Sequence, residues 1–175
     1  MNSEIVDLLS PLTESRRAHS MEVGRKVESV AEFLPDHLRA DTITSAYLHD
    51  VGYGYPIIGF HPIDGAVLLE KRGYSRAVCH IVAFHSAALV EAEARGLDVA
   101  MFRRFELARV PRIDTASDFV WWADMTTGPS GETLTFEERL ADIRARYEVG
   151  NVVRTAIDRS APLLQAAVQR VAGSI

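Results

Sequence analysis

Apolar residues recur every three or four positions along almost the whole chain, and nowhere do they alternate strictly over a sustained run. That period belongs to helices with one buried stripe, not to strands. Val23, Val27, Val30 and Leu34 form one such seam, at steps of four, three and four. The stops are equally regular. A first helix is predicted over about 13–34, ended by Pro35, and a second over about 36–51, ended by Gly52 and Gly54, with Ile43, Ala46 and Tyr47 inward. "HPIDGAVLLEKRG" opens a third at His61–Pro62 and stops at Gly73. "SRAVCHIVAFHSAALVEAEARG" reads as one continuous fourth helix up to Gly96. "AMFRRFEL" reads as a short helix and "ARVPRID" as a loop. Thr115 and Asp118 have capping-box spacing for a helix closed by Gly128–Pro129, and Thr135 and Glu138 start the next one. The tail from Asn151 is amphipathic, with a break or kink expected at Pro162. The expected fold is all-α, a single domain over 1–175 with seven or more helices, its motifs within 13–130 and helices over 135–172 packed on it.

At 175 residues the chain is long enough to bury a real core. The net charge of −5 gives no broad basic surface, so no nucleic-acid polymer is expected as a partner. No apolar run reads as long enough to span a bilayer and the first ten residues lack a leader pattern, so no membrane and a cytoplasmic location are expected. Self-association into a homo-oligomer is compatible with these features. The single cysteine, Cys79, excludes an intramolecular disulfide and a cysteine-based zinc knuckle. A metal here must therefore be held by His, Asp or Glu.

The six histidines divide by their place on the seams. His19 extends the first seam by one step, and His85 follows Val82 by three and Val78 by seven. Asp50 follows Tyr47 by three, its neighbour His49 follows Ala46 by three, and Asp124 follows Trp121 by three. His61 sits at a helix start with Gly65 one turn on, where a missing side chain allows close approach. His37 lies among polar residues and reads as surface; His80 shares a face with Phe84, off the buried seam. A lone inward imidazole is ordinarily a hydrogen-bonded core residue, and Asp124 alone would read as a structural group near a helix end. Burying each of the six unpaired is costly. One metal site accounts for all of them: neutral imidazoles and carboxylates suit Fe, Mn, Zn, Co or Ni.

The order His19, His49–Asp50, Asp124 resembles the HD-domain superfamily. "RRAHS" resembles its R-x-x-H-S motif at Arg16, His19 and Ser20, "YLHDVG" its His–Asp pair, and "WWADMTTG" its final Asp. "HPIDGAVLL" and "HIVAFHS" resemble the two further histidine motifs of the dinuclear branch, at His61 and His85. The resemblance implies a helical fold around a metal centre holding two divalent ions. Asp50 would bridge them, His19, His49 and Asp124 would complete one shell, and His61 and His85 would hold the second ion. Most characterised members hydrolyse phosphoesters, often of nucleotides. The expected function is therefore a metal-dependent phosphohydrolase acting on a small phosphorylated molecule, with a nucleotide as one candidate. Paired cations suit that chemistry, since they lower the pKa of a shared water and neutralise phosphoryl oxygens. Arg16, three residues before His19, is the candidate phosphate-binding group; a solvated helix charge is its ordinary alternative.

The chain departs from the cyclic-dinucleotide HD-GYP group, which carries a Lys soon after the His–Asp pair: here the stretch is "HDVGYG", with Tyr53. "GYP" at 54–56 is out of place for that signature. A minority of dinuclear HD proteins are mixed-valent diiron oxygenases with the same six ligands, and this is the second functional expectation. A non-catalytic binding module is the third, disfavoured by the complete ligand set. The stretch from Ala87 to Thr115 is expected to border the site. Its Arg103, Arg104, Arg109 and Arg112 read as a solvated face, and Thr126 or Thr127 is a weak candidate for the pocket wall. Trp121 and Trp122 read as core.

Overall fold

A computed structural model describes residues 3–107 and 109–175. Met1, Asn2 and Ala108, on which parts of the leader and loop readings fall, lie outside them. The fold is all-α, as expected, with nine α-helices and no strand among the described residues. They are α1 (Ser3–Leu9), α2 (Glu14–Ser29), α3 (Arg39–Leu48), α4 (His61–Lys71), α5 (Arg76–Phe84), α6 (Ala88–Ala94), α7 (Ile113–Asp124), α8 (Phe136–Arg146) and α9 (Val152–Ala172). Short 3₁₀ turns link several of them.

Helices α2, α3, α5 and α7 pack around the middle, α4 lies against α5, and α9 packs across α6, α7 and α8. Glycine sets the closest approach. A Cβ on Gly24 would overlap the Tyr47 ring at 2.1 Å, so only glycine lets α3 lie on α2 at this depth. Tyr47 then reaches Glu28 with its hydroxyl at 2.8 Å, and burial together with that carboxylate pushes its pKa up to about 12. Two large clusters of buried side chains form the core, one around Leu9, Leu48 and Phe102 and the other around Val23, Val27 and Phe119.

Several expectations need correction. The first helix stops at Ser29 and a separate turn covers 31–33. A short N-terminal helix, α1, docks on α3 through Ile5, Leu8 and Leu9, with no expectation attached to it. The second helix ends at Leu48, and His49 and Asp50 sit just past its end. Gly52 is not a left-handed cap: a Cβ there would meet the His61 carbonyl at 2.0 Å, so its role is close approach to α4. Helix α7 starts at Ile113, so Thr115 is not its cap, and Asp118 instead bonds Arg170 at 2.7 Å. The Thr135–Glu138 capping box is present. Helix α9 runs through Pro162, which lies exposed where a freed carbonyl can meet water.

The largest departure is the fourth helix. It is broken at 85–87, where Ser86 (φ 46°) and Ala87 (φ 59°) both adopt left-handed backbone. Each non-glycine residue there costs about 1–2 kcal/mol. By length and composition the 19-residue stretch Arg76–Ala94 is apolar enough to cross a membrane, contrary to the expectation above; 56% of it is buried inside the protein. The break divides it into two short helices that turn the chain toward the polar centre.

Candidate metal centre

Five parts of the chain deliver the six inward ionisable residues to one place. Helix α2 carries His19. The turn after α3 carries His49 and Asp50. That turn is pressed onto the start of α4 by two facing glycines, Gly52 and Gly65, where a Cβ on Gly65 would already be 3.2 Å from the Gly52 nitrogen. This brings His61 Nε2 to 3.4 Å from Asp50 Oδ1. The incoming loop is tied by Asp64, whose carboxylate accepts from the Ile58 and Gly59 N–H groups at 2.9 and 3.0 Å. The break after α5 swings His85 inward, and the end of α7 supplies Asp124.

The result is two adjoining groups, His19–His49–Asp124 and Asp50–His61–His85, in each of which the potential ligand atoms lie within 4.8 Å of one another. Asp50 Oδ1 also lies 3.7 Å from His49 Nε2 and 3.8 Å from His85 Nε2, so it borders both groups. All six sequence-predicted ligands are thus brought together.

Their hydrogen bonds select the form a cation needs. His19 Nδ1 donates to the Gly128 carbonyl at 2.9 Å, His49 Nδ1 to Ala46 at 2.9 Å, and His85 Nδ1 to Val82 at 2.6 Å. A carbonyl only accepts, so Nδ1 carries a proton in each ring, which leaves Nε2 as the atom of each ring free to ligate a cation at the centre. His49 Nε2 is buried without a hydrogen-bond partner. His61 Nε2 and His85 Nε2 approach to 3.2 Å. Converging lone pairs and an orphaned buried nitrogen are costly with nothing between them and are satisfied by a cation. The donor set therefore fits divalent metal ions, and both groups could hold one.

The electrostatics agree. Burial pushes the Asp50 and Asp124 carboxyls up, but the surrounding imidazoles and arginines outweigh it and hold both well below the usual carboxylate range. Burial pushes His49 and His61 down, which keeps them neutral. His19 is the exception: burial lowers it, but Asp124 at 3.1 Å and Asp50 outweigh that and raise it.

Arg16 stands at the mouth, with Nη1 2.7 Å from Asp50 Oδ2 and its guanidinium 3.4 Å from the centre of the Tyr53 ring. It is therefore a paired group of the site and not a solvated helix charge. Tyr53 also stacks on His61 at 3.9 Å. Two groups so near one ring centre occupy its two faces, so Tyr53 is sandwiched.

Sequence reading missed Ser86, whose hydroxyl donates to Asp124 Oδ2 from the strained turn. It also missed the outer wall. The cavity above the centre is lined by α8 and α9, through Arg139, Ile143, Arg146, Tyr147, Ala156 and Ile157 among others. The stretch from Ala87 to Thr115, expected to border the site, contributes Ala87, Ala88 and Glu91. Arg103, Arg109 and Arg112 are exposed and Arg104 pairs with Glu70, in keeping with a solvated face. Thr126 and Thr127 do not line the cavity and instead bond the Trp122 and Ala123 carbonyls. The signal for the wall was present, because 139, 143, 146 and 147 share one helical face and 153, 156, 157 and 160 another. Elsewhere, His37 is exposed on the Pro111 carbonyl, as expected, and His80 bonds the Phe105 carbonyl away from the centre.

The HD domain family model matches residues 16–142, and the chain belongs to that family. Its members are typically metal-dependent phosphohydrolases. No curated protein and no solved structure matches the chain. The matched span holds all six candidate ligands, ends within α8 and stops short of α9.

Proposed function

We propose that the protein is a metal-dependent phosphohydrolase acting on a small phosphorylated molecule. The observation that carries this reading is the convergence of three carbonyl-fixed imidazoles, His61 and two carboxylates on two adjoining groups, with Asp50 of one bordering the other. In this reading His19, His49 and Asp124 would hold one ion, His61 and His85 would hold a second, and Asp50 would serve both. Bound divalent ions would supply Lewis-acid polarisation of the phosphoryl group and a lowered pKa for water. The protein's own side chains do the rest. Arg16 offers a guanidinium at the cavity mouth, with the geometry to hold a phosphoryl oxygen by charge-assisted bonds. Tyr53 fixes that guanidinium from one side and the His61 ring from the other. Ser86 holds the Asp124 carboxylate in orientation. The walls from α8 and α9 keep bulk water away from the reacting groups.

The test is metal-stimulated phosphate release across a panel of phosphoesters, abolished by Asp50→Ala. Pure, metal-loaded protein inert on the whole panel would count heavily against the proposal.

A second reading, a diiron oxygenase, is favoured by one observation: Tyr53 stands where a phosphate-binding Lys is found in the HD-GYP group, and both its ring faces are occupied. A mixed-valent iron signal by EPR in protein as isolated supports it. Tightly held zinc or manganese with no iron rules it out.

A further inference from the structure

We propose that this site takes phosphomonoesters of compact, mainly apolar alcohols, a single small ring or a short branched chain, and not nucleotides. The inference rests on the phosphohydrolase reading and concerns what the cavity accepts beside the phosphoryl group.

The first argument is size. The cavity is about 240 Å³. Pockets for drug-sized ligands run from about 300 to 1,000 Å³. A cavity of about 150 Å³ holds one benzene, and a water occupies about 30 Å³. The enclosed room therefore suits one small ring and a phosphoryl group, and a base and ribose together would have to extend out through the open mouth.

The second argument is the lining. Part of the cavity wall is apolar: Met125, next in sequence to Asp124, Ile143 from α8, and Val153, Ala156 and Ile157 from one face of α9. Of the charged groups among them, Arg139 and Arg146 share Asp142, at 3.0 and 2.6 Å, with Arg139 Nε buried and without a hydrogen-bond partner, and Glu91 accepts from Arg95 at 2.8 Å. The apolar side chains between them suit an uncharged body.

The third argument is the aromatic groups. A purine or pyrimidine is ordinarily gripped by stacking. Trp121 and Trp122 do not line the cavity, and both faces of Tyr53 are covered, by His61 and by Arg16. Tyr147, at the end of α8, is the remaining aromatic ring of the lining.

Calorimetric titration with non-hydrolysable phosphonates tests this separately from turnover. Benzylphosphonate is expected to bind metal-supplemented protein at least about tenfold more tightly than methylphosphonate, the scale of apolar pocket discrimination. Adenosine monophosphate should bind no better than methylphosphonate. Val153→Phe, at a half-buried position in the first turn of α9, should remove the benzyl advantage and leave methylphosphonate affinity unchanged. If that variant unfolds, Ile157→Phe serves the same purpose. Nucleotide binding as tight as benzylphosphonate, equal binding of the two phosphonates, or no phosphonate binding overturns the proposal. Benzyl preference without phosphate release from any ester leaves the pocket assignment standing and overturns the hydrolase reading instead.

Discussion

The two halves of the metal centre are built differently. In the His19–His49–Asp124 half, main-chain carbonyls of Gly128 and Ala46 fix the two imidazoles, and Ser86 holds the carboxylate. In the other half, His85 alone has such a carbonyl, from Val82. His61 is held by the Tyr53 ring, and Asp50 is shared with Arg16. The first half is thus set by backbone that cannot move without unpacking α2, α3 and α7. The second is set largely by side chains that also face the cavity. Preorganised ligands bind more tightly, because less is lost in ordering them. The inner half is expected to retain its ion and the outer half to exchange.

The largest effect expected comes from the residue common to both halves. Asp50→Ala should drop bound metal from two equivalents to one or none by elemental analysis, and activity by about a thousandfold or more. Full metal occupancy in that variant would remove the basis for treating the halves as joined. Next, His49→Ala and His61→Ala divide them. The first should lose the tightly held ion and lower the thermal midpoint of the holoprotein. The second should lose only the weaker ion, leaving the midpoint nearly unchanged. Equal losses in the two variants would contradict the asymmetry. Arg16→Ala should leave metal content alone and lower kcat/KM by about 10- to 100-fold, the scale of a charge-assisted bond.

Smaller effects probe the supports. Ser86→Ala removes the bond to Asp124 and should weaken metal binding by about 10- to 100-fold, as second-shell partners do. Ser86→Gly, which relieves the left-handed strain as well, should lose the same affinity while raising the stability of the metal-free fold. Acid provides the gentlest test. Burial depresses His49 and His61 below the ordinary value of 6.5, so the unfolded chain takes their protons first. Their contribution is complete above that value and is lost as pH falls from it toward the lowered folded values. The depressed Asp50 and Asp124 extend the loss below the ordinary 3.8. His19, raised, runs the other way, its contribution complete below 6.5 and fading as pH rises. His19 adds no pH dependence below 6.5, so the denaturant midpoint of chelator-treated protein should decline from about pH 6.5 to pH 5. A midpoint that holds level or climbs over that range would overturn the lowered values of His49 and His61.

Much of this was legible in the chain because one helical period governs both burial and ligation. His19 lies on the seam of Val23 and Val27, and Asp124 on that of Val120. What faces inward on such a seam reaches the centre whether apolar or ionisable. The break at Ser86–Ala87 was not legible, since neither residue is a glycine and alanine is a strong helix former. The local preference is overridden by a distant bond, from Ser86 to Asp124, together with the bond of the inward-turned His85 to Val82 three residues before it. The α8–α9 wall was legible as two amphipathic faces, but spacing gives a face and not its destination. Gly52 was misread for a related reason: sequence shows that a side chain is missing and does not show which backbone needs the space.

His19 Nε2 and Asp124 Oδ1 lie 3.1 Å apart although the residues stand 105 positions apart in the chain. An ion held by both closes a loop that contains α3 to α6, and the entropy cost of closing a loop rises by only about 0.6 kcal/mol per doubling of its length. The centre is therefore also a staple between the beginning and the end of the ligand-bearing core. Breaking it at Asp124 should speed amide exchange in α2, far away in sequence, before it does so in α9, which donates no ligand and is held by packing and by ion pairs such as Arg170–Asp118 and Arg159–Glu93.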